Sequence, residues 1–294
     1  WKSVCTCDAG YAYKTFAILW SDIFENKMVL HSVKHFYDGL DVYADPRTQT
    51  WTFVNSIVPS LVSIVCYLLF IYIGPKIMKH RKALEFKALM TIYNIGATLL
   101  NVHIFVEIVI STTSLQYSYA CQNLAFSDDP MELRLTSALW YYFISKIIEM
   151  ADTVFFVLRK KSNQISFLHV YHHSTMVVVT WIGIKWFGGG QSFFSCMANS
   201  FVHIIMYTYY AMSAVPFLRK YLWWKKYLTQ LQLIQFLCII VQALYAIHTN
   251  CVYPTLLLWI FSAYIFSFIL LFSNFYFNSY EKNQVHINGN KKSI

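Results

Sequence analysis

The chain alternates long apolar runs with short polar segments, a pattern typical of proteins that cross a membrane several times. A helix needs about 20 largely apolar residues to span the hydrocarbon core, and seven runs approach this length. They lie near residues 57–75, 88–111, 135–158, 165–186, 191–214, 227–248 and 254–277. Runs such as 60–73 lack the strict polar–apolar alternation that a membrane β-strand requires. The pattern therefore predicts an all-α fold, a polytopic membrane protein with seven transmembrane helices.

Composition supports this interpretation, because hydrophobic residues make up 57% of the chain and charged residues only 13%. So few charges cannot cover a soluble globule of this size. The net charge of +9 follows from topology and does not indicate nucleic-acid binding. The loops after the first, third, fifth and seventh helices hold most of the basic residues, whereas Arg134 and Lys185 are assigned to the other loops. By the positive-inside rule, the basic loops and the C-terminus are cytosolic and the N-terminal segment is lumenal.

A single seven-helix domain is predicted over residues 28–280, flanked by two segments of different character. Residues 1–27 resemble neither a signal peptide nor a spanning helix, and Met28 is a plausible start. We therefore interpret them as a non-native or disordered extension. Residues 281–294 form a polar tail that ends Lys291-Lys292-Ser293-Ile294. Lysines at these two positions resemble a dilysine retrieval signal, which predicts the endoplasmic reticulum membrane.

Three histidines stand close together in the fourth helix. His169, His172 and His173 follow the spacing that places side chains on one helical face. Ionisable residues inside a membrane are costly and usually functional. Three imidazoles directed at one place indicate either a metal site or acid/base and acyl-transfer chemistry.

Polar residues in three other helices reach a similar depth. At 1.5 Å per residue, Asp152 lies roughly 10 Å, His172 roughly 16 Å and Gln232 roughly 9 Å from the cytosolic helix ends. This agreement predicts one site in the cytosolic half. With the three histidines, its catalytic residues are Asn199, His203 and Tyr207 in the fifth helix. Its supporting polar residues are Lys146, Glu149 and Asp152 in the third helix, Tyr210 in the fifth, and Gln232 and Gln235 in the sixth. The Lys146–Glu149 pair fits a structural ion pair equally well, and the glutamines fit interhelical hydrogen bonds.

A metal site is the main chemical alternative, since the diiron desaturases of membranes also use His-x-x-His-His. Only four of the ten histidines lie at the right depth: His169, His172, His173 and His203. These are too few for a diiron cage, and a single metal would need a carboxylate such as Asp152 or Glu149 as a further ligand. Acid/base or nucleophilic imidazole chemistry without a metal fits better.

The seven cysteines show no close-spaced zinc pattern. Cys121 and Cys251 both fall in loops assigned to the lumenal side, where an oxidising compartment permits a disulfide. From the residues alone, two free thiols fit equally well.

Four ordered motifs resemble those of the animal fatty-acid elongases, most like the type-four very-long-chain branch. They are Lys146-Ile-Ile-Glu149-Met-Ala-Asp152-Thr153, His169-Val-Tyr-His172-His173, Asn199-Ser-Phe-Val-His203-Ile-Ile-Met206-Tyr207 with Tyr209 and Tyr210, and Thr229-Gln-Leu-Gln232-Leu-Ile-Gln235. The resemblance extends from about Asp45 to about Tyr280. Related elongases have matching cysteines, so it also implies the Cys121–Cys251 disulfide.

This resemblance implies a very-long-chain 3-oxoacyl-CoA synthase with its helices around an acyl-chain tunnel. Such an enzyme condenses malonyl-CoA with a long-chain or very-long-chain acyl-CoA, releases CO₂ and CoA, and needs no cofactor besides these substrates. The expected partners are membrane lipid and, in a homo- or hetero-oligomer, other elongases and the remaining enzymes of the elongation cycle. A His-box metal-dependent desaturase or hydroxylase, or a non-catalytic seven-helix lipid carrier or receptor, is the alternative.

For the mechanism, we expect His172 or His203 to attack the thioester and form an acyl-imidazole, because no cysteine lies in the polar cluster. His169, His173, Asn199 and Tyr207 would orient the imidazoles and hydrogen-bond the reacting oxygen. Asp152 and Glu149 would fix tautomers or balance Lys146. The rival mechanism uses the same histidines as general bases, or as ligands of one metal, with both substrates bound together. Basic residues near the cytosolic surface would attract the CoA phosphates: Lys160, Lys161, Lys225 and Lys226.

Overall fold

The computed structural model describes residues 39, 41–124, 126–251 and 253–281. Residues 1–27, Met28, Lys291 and Lys292, on which three of the predictions rest, lie outside the described residues. The chain divides into two compact units, Trp1–Ala44 and Asp45–Ile294. In the described part of the first unit, the Ala44 amide donates to the Asp41 carbonyl at 3.1 Å. All further description concerns the second unit.

The second unit is helical, and its described residues contain no β-strand. Its α-helices are α1 (Val58–Met78), α2 (Lys87–Ser114), α3 (Pro130–Glu149), α4 (Ala151–Leu158), α5 (Phe167–Trp186), α6 (Ser192–Ala214), α7 (Lys225–His248) and α8 (Thr255–Tyr276). Short 3₁₀ turns at Ser162–Gln164 and Pro216–Tyr221 join α4 to α5 and α6 to α7, and a π-turn, Phe277–Glu281, follows α8.

Four helical segments in the described part are long and apolar enough to cross a membrane: Val58–Met78, Lys87–Ser114, Lys225–His248 and Thr255–Tyr280. The remaining helices, α3 to α6, contain most of the predicted polar site residues, which lowers their mean hydropathy. The all-helical fold is thus confirmed, whereas the count of seven spanning helices stays a prediction.

The third predicted span differs from the expected single helix, because it is interrupted at Met150. There the Met150 and Thr153 amides donate to carbonyls three residues earlier, of Ile147 and Met150, at 3.3 and 3.2 Å. Such tight turns rotate the following residues about the helix axis. The interruption stands directly after Glu149, between two of the predicted site residues.

The same span begins earlier than residue 135. Asp129 caps α3 by accepting a hydrogen bond from the Met131 amide at 2.7 Å, and Pro130 occupies the first helical turn. This cap and proline are a common helix start. As a result Arg134 lies inside α3, and Lys185 lies in the last turn of α5. The assignment of these two basic residues to loops was therefore wrong.

Six of the helices form a ring in the order α2, α3, α5, α8, α7 and α6. Close backbone packing joins α2 to α3 and α6, α3 to α5, and α7 to α6 and α8. Side chains make the contact between α5 and α8: the Tyr171 hydroxyl lies 2.9 Å from Ser267 Oγ, and Thr175 Oγ1 lies 2.8 Å from the Tyr264 hydroxyl. Helix α1 packs outside the ring, against α4 and α5.

A disulfide between Cys121 and Cys251 joins the α2–α3 loop to the α7–α8 loop, the pairing that the resemblance implied. We call this end of the ring the disulfide end. The two loops belong to opposite edges of the ring, so the bond runs across its mouth. We call this disulfide, together with residues 119–122 that lead to it, the strap. Gln191 holds the strap in place, since its Oε1 accepts from the Gln122 amide at 2.8 Å and its Nε2 donates to the Ala120 carbonyl at 3.3 Å. The opposite end, where the 79–86, 159–166 and 215–224 loops lie, is called the basic end.

An ion cluster of Asp45, Arg47, Tyr117 and Glu132 is buried at the disulfide end. Arg47 pairs with both carboxylate oxygens of Asp45, with Nη2 2.7 Å from Oδ2, and its Nη1 lies 3.8 Å from Glu132 Oε2. Glu132 Oε1 accepts from the Tyr117 hydroxyl at 2.6 Å. Burial would lower the pKa of Arg47, but the hydrogen bonds and charge of Asp45, with Glu132 adding to them, raise it above its usual value. The cluster thus holds a charged arginine in place.

The Gly188-Gly189-Gly190 run is the turn after α5 that accommodates this cluster. A Cβ on Gly188 would lie 2.5 Å from Asp45 Oδ2. Gly190 has a φ of +57°, in the left-handed region that glycine adopts at little cost. The Gly188 carbonyl accepts from Arg47 Nη2 at 3.2 Å and from Thr136 Oγ1 at 2.7 Å. Its missing side chain therefore lets the turn close onto the cluster.

Candidate active site

The three histidines of α5 lie together on one face, as their spacing predicts. The ring centroids of His169 and His173 are 4.4 Å apart, and those of His172 and His173 are 5.1 Å apart. His203, on α6, approaches the group with its centroid 6.3 Å from that of His172. Ser166 caps α5 by accepting from the His169 amide at 3.2 Å, which fixes the helix start just before the histidines.

Lys146 is the centre of a buried polar network that joins α3 to α6. Its Nζ donates to Glu149 Oε1 at 2.9 Å and to Asn199 Oδ1 at 3.0 Å. Glu149 Oε1 also lies 3.1 Å from His203 Nδ1. Lys146 and Glu149 are each only 1% exposed, so the pair neutralises two charges that burial would otherwise make very costly. Because both members contact other site residues, this ion pair belongs to the network as well as to the bundle.

The network determines how Asn199 and His203 present their remaining atoms. Tyr142 and Lys146 both donate to Asn199 Oδ1, at 2.9 and 3.0 Å, so the Nδ2 donors of Asn199 are left for another partner. The Glu149 carboxylate can only accept, so it selects the His203 tautomer with its proton on Nδ1, and in the neutral ring Nε2 then carries the lone pair. We call Tyr142, Lys146, Glu149, Asn199 and His203 the chamber network.

A second chain of hydrogen bonds supports the other side of the histidines. Thr153 Oγ1 lies 2.7 Å from His169 Nε2 and 3.1 Å from the hydroxyl of Tyr67 on α1. The buried hydroxyl of Tyr207 donates to Asp152 Oδ2 at 2.9 Å. Asp152 and Thr153 both stand in the first turn of α4, after the interruption at Met150. The broken helix thus directs Glu149 and Asp152 to different partners.

A small chamber of about 60 Å³ opens in front of these groups. His172, Asn199, Tyr142 and Gln235 contribute its polar lining, and the other lining residues are mainly apolar. Among the described residues, no hydrogen-bond partner engages the His172 ring. The chamber therefore combines an unengaged imidazole with the free amide donors of Asn199.

A larger apolar cavity of about 220 Å³ lies between α5, α6, α7 and α8, toward the disulfide end. It shares four lining residues with the chamber: Val179, Ser195, Phe261 and Tyr264. The two spaces therefore adjoin, with the histidine chamber at one end and an apolar pocket at the other. This arrangement suits a molecule with a reactive polar head and a hydrocarbon chain.

The other predicted site residues lie around this centre. Tyr207 and Tyr210 are outside the chamber lining, with ring centroids 6.0 Å apart. Gln232 approaches Met206 with its Nε2 3.9 Å from Sδ and does not line the chamber either. Four lysines stand at the basic end: Lys160, Lys161 and Lys225 are exposed, and Lys226 is partly exposed with its Nζ 5.3 Å from the ring centre of Tyr276.

A metal site was the main chemical alternative to imidazole chemistry that the sequence left open. Within residues 41–124, 126–251 and 253–281, no group of three or more His, Cys, Asp or Glu side chains has the arrangement needed to hold a metal ion. The Nδ1 of His203 faces Glu149 and the Nε2 of His169 faces Thr153, so these ring atoms are engaged by protein partners.

Three residues of the site were not predicted. Tyr142 orients Asn199, Thr153 engages His169, and Tyr67 brings the outer helix α1 into the network. Tyr142 lies four residues before Lys146, and Thr153 four residues after Glu149, so helical spacing was a usable signal for both. Nothing in the sequence distinguishes Tyr67 from the other 21 tyrosines.

Comparison with known proteins gives one consistent result. Residues 52–287 match the ELO family, described as the GNS1/SUR4 family. The chain is 47% identical over 254 residues to "Very long chain fatty acid elongase 4" of Homo sapiens, covering 86% of this chain and 81% of the relative. It is 43% identical to "Very long chain fatty acid elongase 2" of Mus musculus, with 87% of each chain covered. It is also 39% identical to "Very long chain fatty acid elongase 5" of Bos taurus, covering 86% of this chain and 87% of the relative. The helical architecture, the buried histidine chamber and these matches together place the chain in the ELO (GNS1/SUR4) family of membrane-embedded proteins.

Proposed function

We propose that this chain is a very-long-chain 3-oxoacyl-CoA synthase, which condenses malonyl-CoA with an acyl-CoA in the first step of fatty-acid elongation. Relatives covered over more than four fifths of their length are named very long chain fatty acid elongases. One structural observation carries the proposal: the chamber with His172 and Asn199 adjoins an apolar cavity between helices. A thioester placed at His172 has space for its hydrocarbon chain in that cavity.

In the first step, His172 is the nucleophile. The lone pair of its unprotonated ring nitrogen forms a bond to the thioester carbon, the C–S bond breaks, and CoA leaves as the thiolate. The acyl-imidazolium then loses its other ring proton, and His203 relays this proton to the thiolate. We assign the attack to His172 and not His203 because His172 lines the chamber, whereas His203 is held behind it by Glu149. An imidazole in a dry pocket is an effective acyl acceptor.

In the second step, malonyl-CoA loses CO₂ and the electron pair of the broken C–C bond forms an enolate. The enolate carbon attacks the acyl carbon, a C–C bond forms, and the C–N bond to His172 breaks. The electron pair of that bond stays on His172 as an imidazolate, which takes up the one proton from the aqueous phase that the overall condensation consumes. The products are a 3-oxoacyl-CoA and the free imidazole. Asn199 Nδ2 supplies the hydrogen-bond donor for the negative oxygen in both steps, an interaction worth a few kcal/mol in acyl-transfer enzymes.

The remaining polar residues act by positioning. Glu149 holds the tautomer of His203, Lys146 balances Glu149 and fixes Asn199, and Thr153 orients His169. Tyr207 and Asp152 support this arrangement from behind the chamber. The reaction uses the two thioester substrates and no further cofactor.

Binding of CoA is assigned to the basic end. Lys160, Lys161, Lys225 and Lys226 stand near the loops that flank α4, α5 and α7. Cationic side chains there would attract the phosphates of CoA from the aqueous phase. Replacing Lys161 and Lys225 by Gln should raise the KM for both thioesters, more strongly at low ionic strength, with little change in kcat.

The decisive experiment incubates membranes containing this chain with labelled malonyl-CoA and a panel of acyl-CoA substrates. The expected product is a labelled 3-oxoacyl-CoA, formed without O₂ or an electron donor. A desaturase would require both, and a carrier or receptor would give no product, so either result would refute the assignment.

Kinetics separate the two mechanisms of condensation. The acyl-imidazole route predicts parallel double-reciprocal lines and a mass increase of one acyl group on the His172 peptide when malonyl-CoA is omitted. Intersecting lines without any adduct would favour the rival mechanism, in which the histidines act as general bases and both substrates bind together.

We further propose seven membrane spans, with α3 and α4 counted as one, in the endoplasmic reticulum, the N-terminal side lumenal and the C-terminus cytosolic. The concentration of basic residues at one end supports this orientation. Replacing Lys291 and Lys292 by Ser should let a tagged protein leave the endoplasmic reticulum. Unchanged residence would rule out the dilysine signal.

A further inference from the structure

The disulfide end of the helix ring is closed, and this closure bounds the apolar cavity. Phe187 and Tyr253 both line the cavity at the disulfide end, with ring centroids 5.4 Å apart. Beyond them the Cys121–Cys251 strap crosses the ring, and Gln242 Nε2 donates to the Tyr119 carbonyl of the strap at 3.3 Å. A chain that enters from the histidine chamber therefore meets a floor at this end.

The side of the cavity is different. Ile182 of α5 and Ile260 of α8 line it, yet they are 37% and 57% exposed on the outer surface of the bundle. Gly183, next to Ile182 on α5, also lines the cavity, and a Cβ at this position would meet no atom within 4 Å. The cavity is thus open sideways, at the seam between α5 and α8.

The same seam is closed nearer the basic end. There the Tyr171 ring packs on Phe268 with centroids 5.4 Å apart, and hydroxyl groups of Thr175 and Tyr264 bond across it. The backbones of α5 and α8 are not among the closely packed pairs of the described helices. Contacts between side chains therefore seal the seam beside the histidines. Near Gly183, which has no side chain, no such contact closes the seam among the described residues.

We propose that this opening is an exit slot, through which the terminal part of a long acyl chain leaves the protein and enters the membrane. The slot is defined by Ile182, Gly183 and Ile260. The inference rests on the proposed function, because it takes an acyl chain attached at His172 as the occupant. Its walls are apolar and face the membrane region, so a hydrocarbon chain passes from protein to lipid without exposure to water.

The distance from the histidine to the slot sets which part of the chain emerges. Eleven residues of α5 separate His172 from Gly183, which is roughly 16 Å at 1.5 Å per residue. A zigzag chain with C–C bonds of about 1.5 Å advances roughly 1.3 Å per carbon. Carbons beyond roughly the thirteenth would therefore lie in or outside the slot. The floor then determines the direction in which the acyl chain leaves but does not limit the length of that chain. The protein therefore accepts chains longer than its own cavity.

The test blocks the slot with Gly183→Phe. Across the acyl-CoA lengths that the wild type accepts, kcat/KM should fall by about tenfold or more for the longest relative to the shortest, as for a pocket that loses space. Gly96→Phe is the matched control, since Gly96 is an exposed glycine of α2 with no atom within 4 Å of a Cβ. It should leave the length profile unchanged. An equal loss at every length in Gly183→Phe, or no change, would overturn the slot.

A second measurement uses the unmodified protein. A long acyl-CoA with a diazirine on its terminal carbon is bound without malonyl-CoA, irradiated, and the labelled peptides are identified. Label on Ile182, Ile260 or membrane lipid supports the slot, whereas label on Phe187 or Tyr253 shows that the chain ends at the floor and refutes it. Binding alone is read here, so a protein that fails to condense malonyl-CoA still gives a result on the slot. If Gly183→Phe does not accumulate, Ile260→Trp obstructs the same opening from α8.

Discussion

The protein buries two groups of charged side chains, and they differ in what they leave unpaired. In the ion cluster at the disulfide end, Arg47 is enclosed by Asp45, Glu132 and the carbonyls of Ser127 and Gly188. In the chamber network, Lys146 and Glu149 are just as deeply buried, but they hold Asn199, whose amide donors are free beside the chamber, and His203, which stands behind it. Burial of charge is common to both regions, and Glu132 Oε2 of the ion cluster also lacks a hydrogen-bond partner. Only the chamber network presents free donors to one of the two cavities, since Glu132 lines neither.

This difference separates a structural role from a chemical one. A buried ion pair is weak evidence for function, because its charges need each other regardless of any ligand. Spare hydrogen-bonding capacity that faces a cavity is stronger evidence, since leaving it unmet costs free energy when no substrate is bound. Mutations in the two regions should therefore separate activity from stability.

The largest effect is expected for His172→Ala. Loss of the attacking imidazole should reduce the turnover by more than about 10³-fold, while the thermal unfolding midpoint stays close to that of the wild type because none of the described residues forms a hydrogen bond with the ring. Malonyl-CoA incorporation and thermal unfolding of the purified protein measure the two. His248→Ala, at the exposed end of α7, is the control. Near-normal turnover in His172→Ala would exclude it as nucleophile.

Arg47→Leu should have the opposite effect to His172→Ala, lowering stability while leaving turnover unchanged. Asp45 would keep a buried charge without its partner, which costs about 3–5 kcal/mol of folding free energy, so the protein should unfold at lower temperature and accumulate poorly. Turnover per folded molecule should stay near that of the wild type. Arg47→Lys keeps the charge but loses the two-point contact with Asp45 and should be intermediate. Lost turnover with normal stability would mean that the cluster takes part in chemistry.

Glu149→Gln tests the residue that combines both roles. The neutral amide no longer fixes the tautomer of His203 or balances Lys146. Turnover should fall about 10²-fold, as when a positioned acid or base is disturbed, and the unfolding midpoint should fall as well. Glu107→Gln is the control, because Glu107 pairs with Arg134 away from the chamber. If only the turnover falls, Glu149 has a chemical role alone. If only the unfolding midpoint falls, its role is structural alone.

Gly188→Ala should give the smallest effect. Its Cβ would press on the Asp45 carboxylate, 2.5 Å away, and such overpacking costs about 1–3 kcal/mol. Gly96→Ala adds the same methyl group in open space and should stabilise α2 by up to about 1 kcal/mol. Thermal unfolding compares the two variants. Equal stability of both would show that the turn adapts without strain.

The chamber was largely predictable, because its residues follow helical spacing within each helix. His169, His172 and His173 had to share a face, and the similar depth of Asp152, His172 and Gln232 in three helices indicated one location. Helical spacing did not predict which of these residues line the chamber and which support them from behind. Placement of His172 in the chamber lining and of Tyr207 behind it depends on how the helices are rotated against each other.

The ion cluster was not predicted, for a physical reason. Arg47 and Glu132 are far apart in sequence, and the chain that connects Asp45 to Glu132 passes through two complete helices. Contacts of this kind follow from the packing of the helix ring, which no local pattern specifies. The interruption at Met150 was missed because no proline or glycine marks it, and α3 and α4 together have the composition of one continuous helix.

The strap across the disulfide end also constrains biosynthesis. Its two cysteines are 130 residues apart, so Cys121 must wait as a free thiol while the ribosome makes every helix from α3 to α7. The bond can form only after Cys251 has emerged, when a single helix remains to be added. Covalent closure of the ring is therefore one of the last events in assembly, and a chain that stops before residue 251 cannot form this bond.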